Sequence, residues 1–127
     1  MMINPTRFIP IAKEIAKLQL ELYPNKKFHH VSVIVFGKSF VVGINGEKSH
    51  PDIIPYGRER ILLHSEMAAF IKVKNLTDKD LTLINFRFNR KLQLRLSKPC
   101  KDCMKWCRVE FNSIYFSTNN GKIERMY

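Results

Sequence analysis

Two short stretches of the chain hold residue types that could do chemistry. In "RILLHSEMAAFIKVKN", residues 60–75, a helical apolar pattern begins with His64 and Glu66. Further on, "SKPCKDC" carries Cys100 and Cys103 three positions apart, directly after Pro99. Side chains two positions apart on a helix diverge, so His64 and Glu66 cannot share a pocket beside it, but they can share one beyond its end. There the free N–H groups and the positive end of the helix dipole favour anions and a metal-bound hydroxide. Pro99 is acceptable at a first helical position, and Cys100 and Cys103 can reach one ion from a first turn, where a helix start favours the metal-binding thiolate.

His64, Cys100 and Cys103 make three protein ligands, which leaves the fourth tetrahedral position of a zinc ion open to water, the catalytic rather than the structural pattern. Glu66 then has a task, because a carboxylate at such a site can take a proton from the water and pass it to a leaving group. Taken alone, His64 reads as a core histidine and the cysteines as a structural pair. The ordered combination of both half-motifs on two expected helix starts favours the metal site. Cys107, a turn beyond Cys103, reads as a small packed side chain. His29, His30 and His50 read as non-ligands.

The elements that must position these residues follow from apolar spacing. Pro5 and Thr6 can start a helix whose apolar stripe is Phe8, Ile11, Ile15, Leu18 and Leu22, ending before Pro24. "HHVSVIVFGKSFVVGIN" predicts an antiparallel hairpin turning at Gly37-Lys38, with both faces of its apolar strands covered. "GEKSHPDIIPY" is a loop leading into the His64 helix, and "LTLINFRFN" is the third strand. "RKLQLRLSKP" reads as a basic connection, and "CKDCMKWCRVEF" as a second site helix. "SIYFST" is the fourth strand, and the Asn120-Gly121 pair predicts a tight turn into a fifth, antiparallel edge strand. The expectation is an α/β fold of one domain, residues 1–127, with a mixed five-stranded sheet, helices packed on it and an antiparallel last hairpin.

Composition sets the outer bounds. The chain has 127 residues, 45% of them hydrophobic, which suits a folded domain rather than a disordered or fibrous one. No apolar run is long enough to cross a bilayer and the start lacks the layout of a signal peptide, so an intracellular, cytoplasmic protein without membrane attachment is expected. Clustered cysteines in a reducing compartment point to metal or reactive thiols rather than disulfides. Lys and Arg number 22 against 11 acidic residues, a formal charge of +11 that attracts polyanions.

"HSE" followed by "PCKDC" resembles the H-x-E…P-C-x-x-C signature of the zinc-dependent cytidine and nucleic-acid deaminases. The order of helix, hairpin, helix, strand, helix and strand is similar to that family's, so the resemblance spans nearly the whole chain. "YGRERILLHSEMAAF", "SKPCKDC" and "IYFSTNNG" look most like small deaminase-like proteins encoded by phages. The antiparallel end resembles the cytidine-deaminase side of the superfamily. Ser65 stands where relatives more often have alanine, and Lys98 where many have a neutral or acidic residue.

The resemblance implies a cytidine deaminase-like three-layer fold, a Zn(2+) cofactor held by His64, Cys100 and Cys103, and Glu66 as the proton shuttle. It places Asn45, in "GIN" at the end of the second strand, with Ser65 and Pro99 on the substrate side, and it implies hydrolysis of cytosine to uracil. The dense basic region supplies a possible rim of Arg58, Arg60, Arg90, Lys91, Arg95, Lys98 and Lys101, which reads either as a solvated face or as a groove for a phosphate backbone.

The charge favours single-stranded DNA or RNA as partner, with the base flipped into the zinc pocket. The alternatives are a salvage deaminase of free cytidine, deoxycytidine or its monophosphate, and a non-catalytic zinc protein that binds nucleic acid or plays a structural part. Homo-oligomers are expected to the extent that an exposed apolar strand face favours assembly.

Overall fold

The N-terminal segment starts with a side-chain cap. In this computed structural model, which describes residues 4–44, 65–73, 80–97 and 110–126, Asn4 Oδ1 accepts from Thr6 N–H at 3.2 Å and from Thr6 Oγ1 at 2.6 Å. The first turn, Pro5–Phe8, is a 3-10 turn, and the α-helix α1 runs from Ile9–Leu22. Pro10 lies in the first turn of α1, where its missing N–H costs nothing.

The face that α1 buries differs from the predicted stripe. Phe8, Ala12, Ala16 and Gln19 are buried, whereas Ile11, Leu18 and Leu22 are exposed, the last by 72%. Two alanines let the helix backbone approach the sheet, where Val31, Val33, Val35, Ile84, Phe86 and Phe88 complete one apolar cluster. The larger residues follow an equally helical spacing on the wrong side, so periodicity alone could not choose between the faces.

Among the described residues the sheet has six strands: β1 (Phe28–Phe36), β2 (Ser39–Ile44), β3 (Thr82–Asn89), β4 (Leu94–Arg95), β5 (Ser113–Ser117) and β6 (Ile123–Arg125). Their order is β2-β1-β3-β5-β6, with β4 paired to β3. Gly37, at φ 61°, makes the two-residue turn between β1 and β2 in the expected register, Phe36 opposite Ser39. Thr118 and Gly121 bracket the turn into β6, which lies antiparallel to β5 as predicted. Two expectations are corrected. The basic connection contains β4, and β2 is an edge strand with only Gly43 buried, so its faces are not both covered.

The helix α2 (Ser65–Ile71) packs on the face opposite α1, where Ala69, Phe70 and Val73 meet Ile34, Leu83, Phe111 and Ile114. Gly43 fixes how close it comes. A Cβ there would overlap Ala69 N and Ser65 O, so only glycine lets the start of α2 lie on β2.

Strands β3 and β5 are parallel, and their shared ladder ends at Asn85, opposite Phe116. From Arg87 onward the same edge of β3 pairs antiparallel with β4. This change of partner at the carboxyl ends of parallel strands is where open α/β sheets form their binding crevices.

Candidate active site

Two serines fill the break in the ladder. Ser97 Oγ donates to Asn85 C=O at 2.7 Å and accepts from Ser117 N–H at 2.7 Å. Ser117 Oγ donates to Arg95 C=O at 2.6 Å and accepts from Arg87 N–H at 3.2 Å. Backbone groups that would lose their ladder partners where β3 changes neighbour are thereby satisfied by side chains. Ser97 N–H also donates to Ser117 C=O at 3.0 Å, which fixes the chain three residues before Cys100 against the end of β5.

A polar chain runs from this point to the start of α2. Ser32 on β1 lies directly opposite Asn85 on β3, and Ser32 Oγ donates to Asn85 Oδ1 at 2.6 Å. The orientation of the amide follows from its other neighbour: Ser97 C=O can only accept, so Asn85 Nδ2 faces it, at a long 3.4 Å. Ser32 Oγ is 2.7 Å from Ser65 Oγ, and Ser65 Oγ donates to Glu66 Oε1 at 3.1 Å. With Ser32 donating to Asn85, the single proton of Ser65 has two acceptors within reach, Ser32 Oγ and Glu66 Oε1. Ser32 is fully buried, and Asn85, Ser65, Glu66 and Ser97 are each no more than 6% exposed. Buried polar groups are tolerated when hydrogen-bonded, and each member of this set has a polar partner within hydrogen-bond distance.

Of the expected site residues, Glu66 and Ser65 therefore lie in one buried network at the first turn of α2. Ser65, expected on the substrate side, turns its hydroxyl to the sheet and to Glu66. His64, Cys100, Cys103, Asn45 and Pro99 lie outside the described residues, as do Arg58, Arg60, Lys98 and Lys101. Among the described residues no three His, Cys, Asp or Glu side chains gather as a metal site. The donor set in the sequence nonetheless suits zinc: an imidazole at position 64 and two thiols at 100 and 103, with the buried carboxylate of Glu66 not needed as a ligand. Residue 64 immediately precedes Ser65 and residue 100 follows Ser97 by three positions, and Ser65 and Ser97 lie at the two ends of the network.

Sequence reasoning missed Ser32, Asn85, Ser97 and Ser117. Their signal is a polar residue inside an apolar strand, Ser32 in "VSV" and Asn85 in "INF", since a covered strand must give such a group a partner.

The described part of the basic rim forms a separate feature on the same sheet face. Arg90, Lys91 and Arg95, with Lys27, Phe28, Asn89 and Gln93, line an open cleft of about 430 Å³. Asn89 Oδ1 accepts from Lys91 N–H at 2.9 Å and Gln93 N–H at 3.0 Å, holding a tight turn in which Leu92 has φ 59°. A non-glycine residue in the left-handed region is uncommon, and here it accompanies the turn that presents Lys91. Arg90 donates to the carbonyls of Asn25 at 2.8 Å and Lys26 at 3.3 Å, so its guanidinium is held rather than free. The Arg87 guanidinium lies 3.7 Å from the centre of the Phe28 ring. Asn89, the β3 residue that lines the cleft, lies four positions and roughly 13 Å along the strand from Asn85, at about 3.3 Å per residue.

Comparison with solved structures decides the fold. Cytidine deaminase from Mycobacterium leprae superposes with a TM-score of 0.62 at 12% identity, covering 98% of this chain and 94% of that one. The chain has the cytidine deaminase fold. Cytidine deaminase from Bacillus anthracis gives 0.61 at 14% identity, over 94% of this chain and 82% of that one. A glutamate-to-glutamine mutant of the Mycobacterium tuberculosis enzyme gives 0.57 at 14% identity, over 91% and 85%. No protein-family model matches the sequence, and no curated protein matches it. The mixed sheet, α1 and α2 on opposite faces and the antiparallel β5–β6 hairpin are thus those expected from the resemblance. Among the described residues, no helix is long and apolar enough to cross a membrane.

Proposed function

We propose that the protein is a zinc-dependent deaminase that hydrolyses cytosine to uracil in single-stranded nucleic acid. The observation that carries this reading is Glu66, buried at the start of α2 in a cytidine deaminase fold and part of a polar cluster that reaches the segment that enters "KPCKDC".

His64, Cys100 and Cys103 are the residues that would hold the ion. Zinc, when bound, lowers the pKa of water so that a nucleophile is available at neutral pH. The chain's own part is proton traffic. Glu66 takes the proton released as water adds to C4, delivers a proton to ring N3, and passes one to the departing amino group. A C4–O bond forms, the C4–N4 bond breaks, and cytosine plus water gives uracil plus ammonia.

The substrate class is argued from charge. Lys27, Arg90, Lys91 and Arg95 share one cleft on the sheet face that carries Asn85, and Phe28 offers a partly exposed ring beside them. Cations with an aromatic ring suit a phosphate backbone and a stacked base, the recurring composition of single-strand binding surfaces. A second reading, deamination of free cytidine, deoxycytidine or its monophosphate, is favoured by the antiparallel β5–β6 end and by the neighbours being cytidine deaminases.

The test compares uracil formation by zinc-loaded protein on a cytosine-containing single-stranded oligonucleotide, on deoxycytidine and on its monophosphate, at low and moderate salt. Product in the oligonucleotide, falling steeply with salt, supports the leading reading. Product from the free compounds alone supports the second.

A further inference from the structure

The network in the sheet joins two parts of the chain that the proposed chemistry needs in fixed relation. We propose that Asn85 is a positioning residue that holds the start of α2, which carries Glu66, in fixed relation to Ser97 at the end of the segment that precedes Cys100 in sequence. This rests on the deaminase reading, and the readouts below separate the two.

Asn85 presents its two polar ends to these two parts of the chain. Its Oδ1 accepts from Ser32 Oγ at 2.6 Å, and Ser32 meets Ser65, whose hydroxyl reaches Glu66. Its Nδ2 and its own carbonyl both engage Ser97, three residues ahead of Cys100. An amide is suited to this task because it offers a donor and an acceptor on one rigid plane. Aspartate would turn a second acceptor toward Ser97 C=O, and leucine would remove both contacts.

The location adds to the argument. Asn85 is the last β3 residue paired with β5, so it marks the point where the sheet opens. Ser32 opposite it is fully buried between Val31 and Val33, at a site where valine or isoleucine would suit the strand pattern. Polar groups in such a place cost stability unless satisfied, and here their partners lead in both directions to the proposed site. A network of this kind fixes geometry, to which reaction rates are sensitive: a misplacement of about 1 Å can cost on the order of a hundredfold.

The experiment uses the zinc-loaded full chain and compares Ser32→Ala, Ser32→Thr and Asn85→Leu with Asn112→Ala. Asn112 binds Leu81 N–H at the opposite end of β3, so its loss lowers stability away from the site. The readouts are kcat, KM, melting temperature and zinc retained against a competing chelator. For Ser32→Ala we expect kcat to fall about tenfold with KM changed less than about twofold. Ser32→Thr, which keeps the hydroxyl, restores most of the rate. Ser32→Ala and Asn85→Leu are both expected to release zinc at about tenfold lower chelator concentration.

Wild-type kcat and zinc retention in Ser32→Ala would overturn the proposal, as would equal losses in Asn112→Ala at matched melting temperature. If Asn85→Leu does not fold, the Ser32 pair decides. A wild-type protein that retains zinc but converts no cytosine substrate would sink the deaminase reading, and zinc retention would still judge the positioning role of Asn85.

Discussion

Ser32 and Asn85 face each other across the β1–β3 ladder, their side chains joined at 2.6 Å, and through this pair the start of α2 is linked to the segment that leads to Cys100. The pair lies beside the break where β3 exchanges β5 for β4 as its neighbour. The start of α2, with Glu66, thus stands on the sheet beside buried polar groups of β1 and β3.

Gly43 should be intolerant of any side chain. Its missing Cβ leaves room for Ala69 N and Ser65 O, and both obstacles are backbone. Gly43→Ala is expected to cost on the order of 1–3 kcal/mol by overpacking, and to lower kcat because the first turn of α2 must shift with Glu66. Urea denaturation with parallel rate measurements checks both effects.

His29 should make stability fall in mild acid. It is 2% exposed, and neither ring nitrogen has a hydrogen-bond partner among the described residues. Burial, aided by the nearby Lys26 charge, lowers its pKa from the usual 6.5, so the folded protein favours the neutral ring. The unfolded chain then binds the proton more readily, and stability is lost as pH falls from the unfolded value through the lower folded one. His29→Leu is expected to flatten this slope below pH 6.5 and to leave or raise stability at pH 8, as read by melting temperature across the range.

Much of the fold was legible because hairpins and strands leave strong local marks. Gly37-Lys38 and Asn120-Gly121 announce their turns, and the runs around them are short and β-branched. The buried face of α1 was not legible, since Ala12 and Ala16 carry little hydrophobic signal while Leu18 and Leu22 carry much. Strand β4 was hidden in a charged segment, where pairing depends on the neighbouring β3 rather than on its own residues. At the site, Glu66 was legible from its motif. Its supporting network was not, because Ser32, Asn85 and Ser97 are far apart in sequence and meet only through strand register.

The basic cleft should govern substrate binding and leave the chemistry alone. For Arg90→Ala with Arg95→Ala, oligonucleotide affinity is expected to weaken, and the slope of log K against log salt to become shallower by roughly 1–1.5. Turnover of free deoxycytidine, measured in the same preparation, should be unchanged. An unaltered salt slope would assign these arginines to a solvated face.

Metal dependence has its own test. Removal of zinc by a chelator should abolish activity, and adding zinc back should restore it, whereas Cys100→Ser and Cys103→Ser should each lower zinc content measured by atomic absorption. Zinc bound equally by both variants would exclude the proposed ligand set.

The central claim is that Glu66 moves protons in the hydrolysis of cytosine. Its most direct test is the single-turnover rate of uracil formation by zinc-loaded wild-type protein and by Glu66→Gln, which keeps the size of a buried side chain while removing its acid–base function. The account predicts uracil from the wild type and a rate lowered on the order of 10²–10⁴-fold in the variant at unchanged zinc content. Equal rates in the two proteins, or no uracil from any cytosine substrate with zinc fully bound, would contradict it.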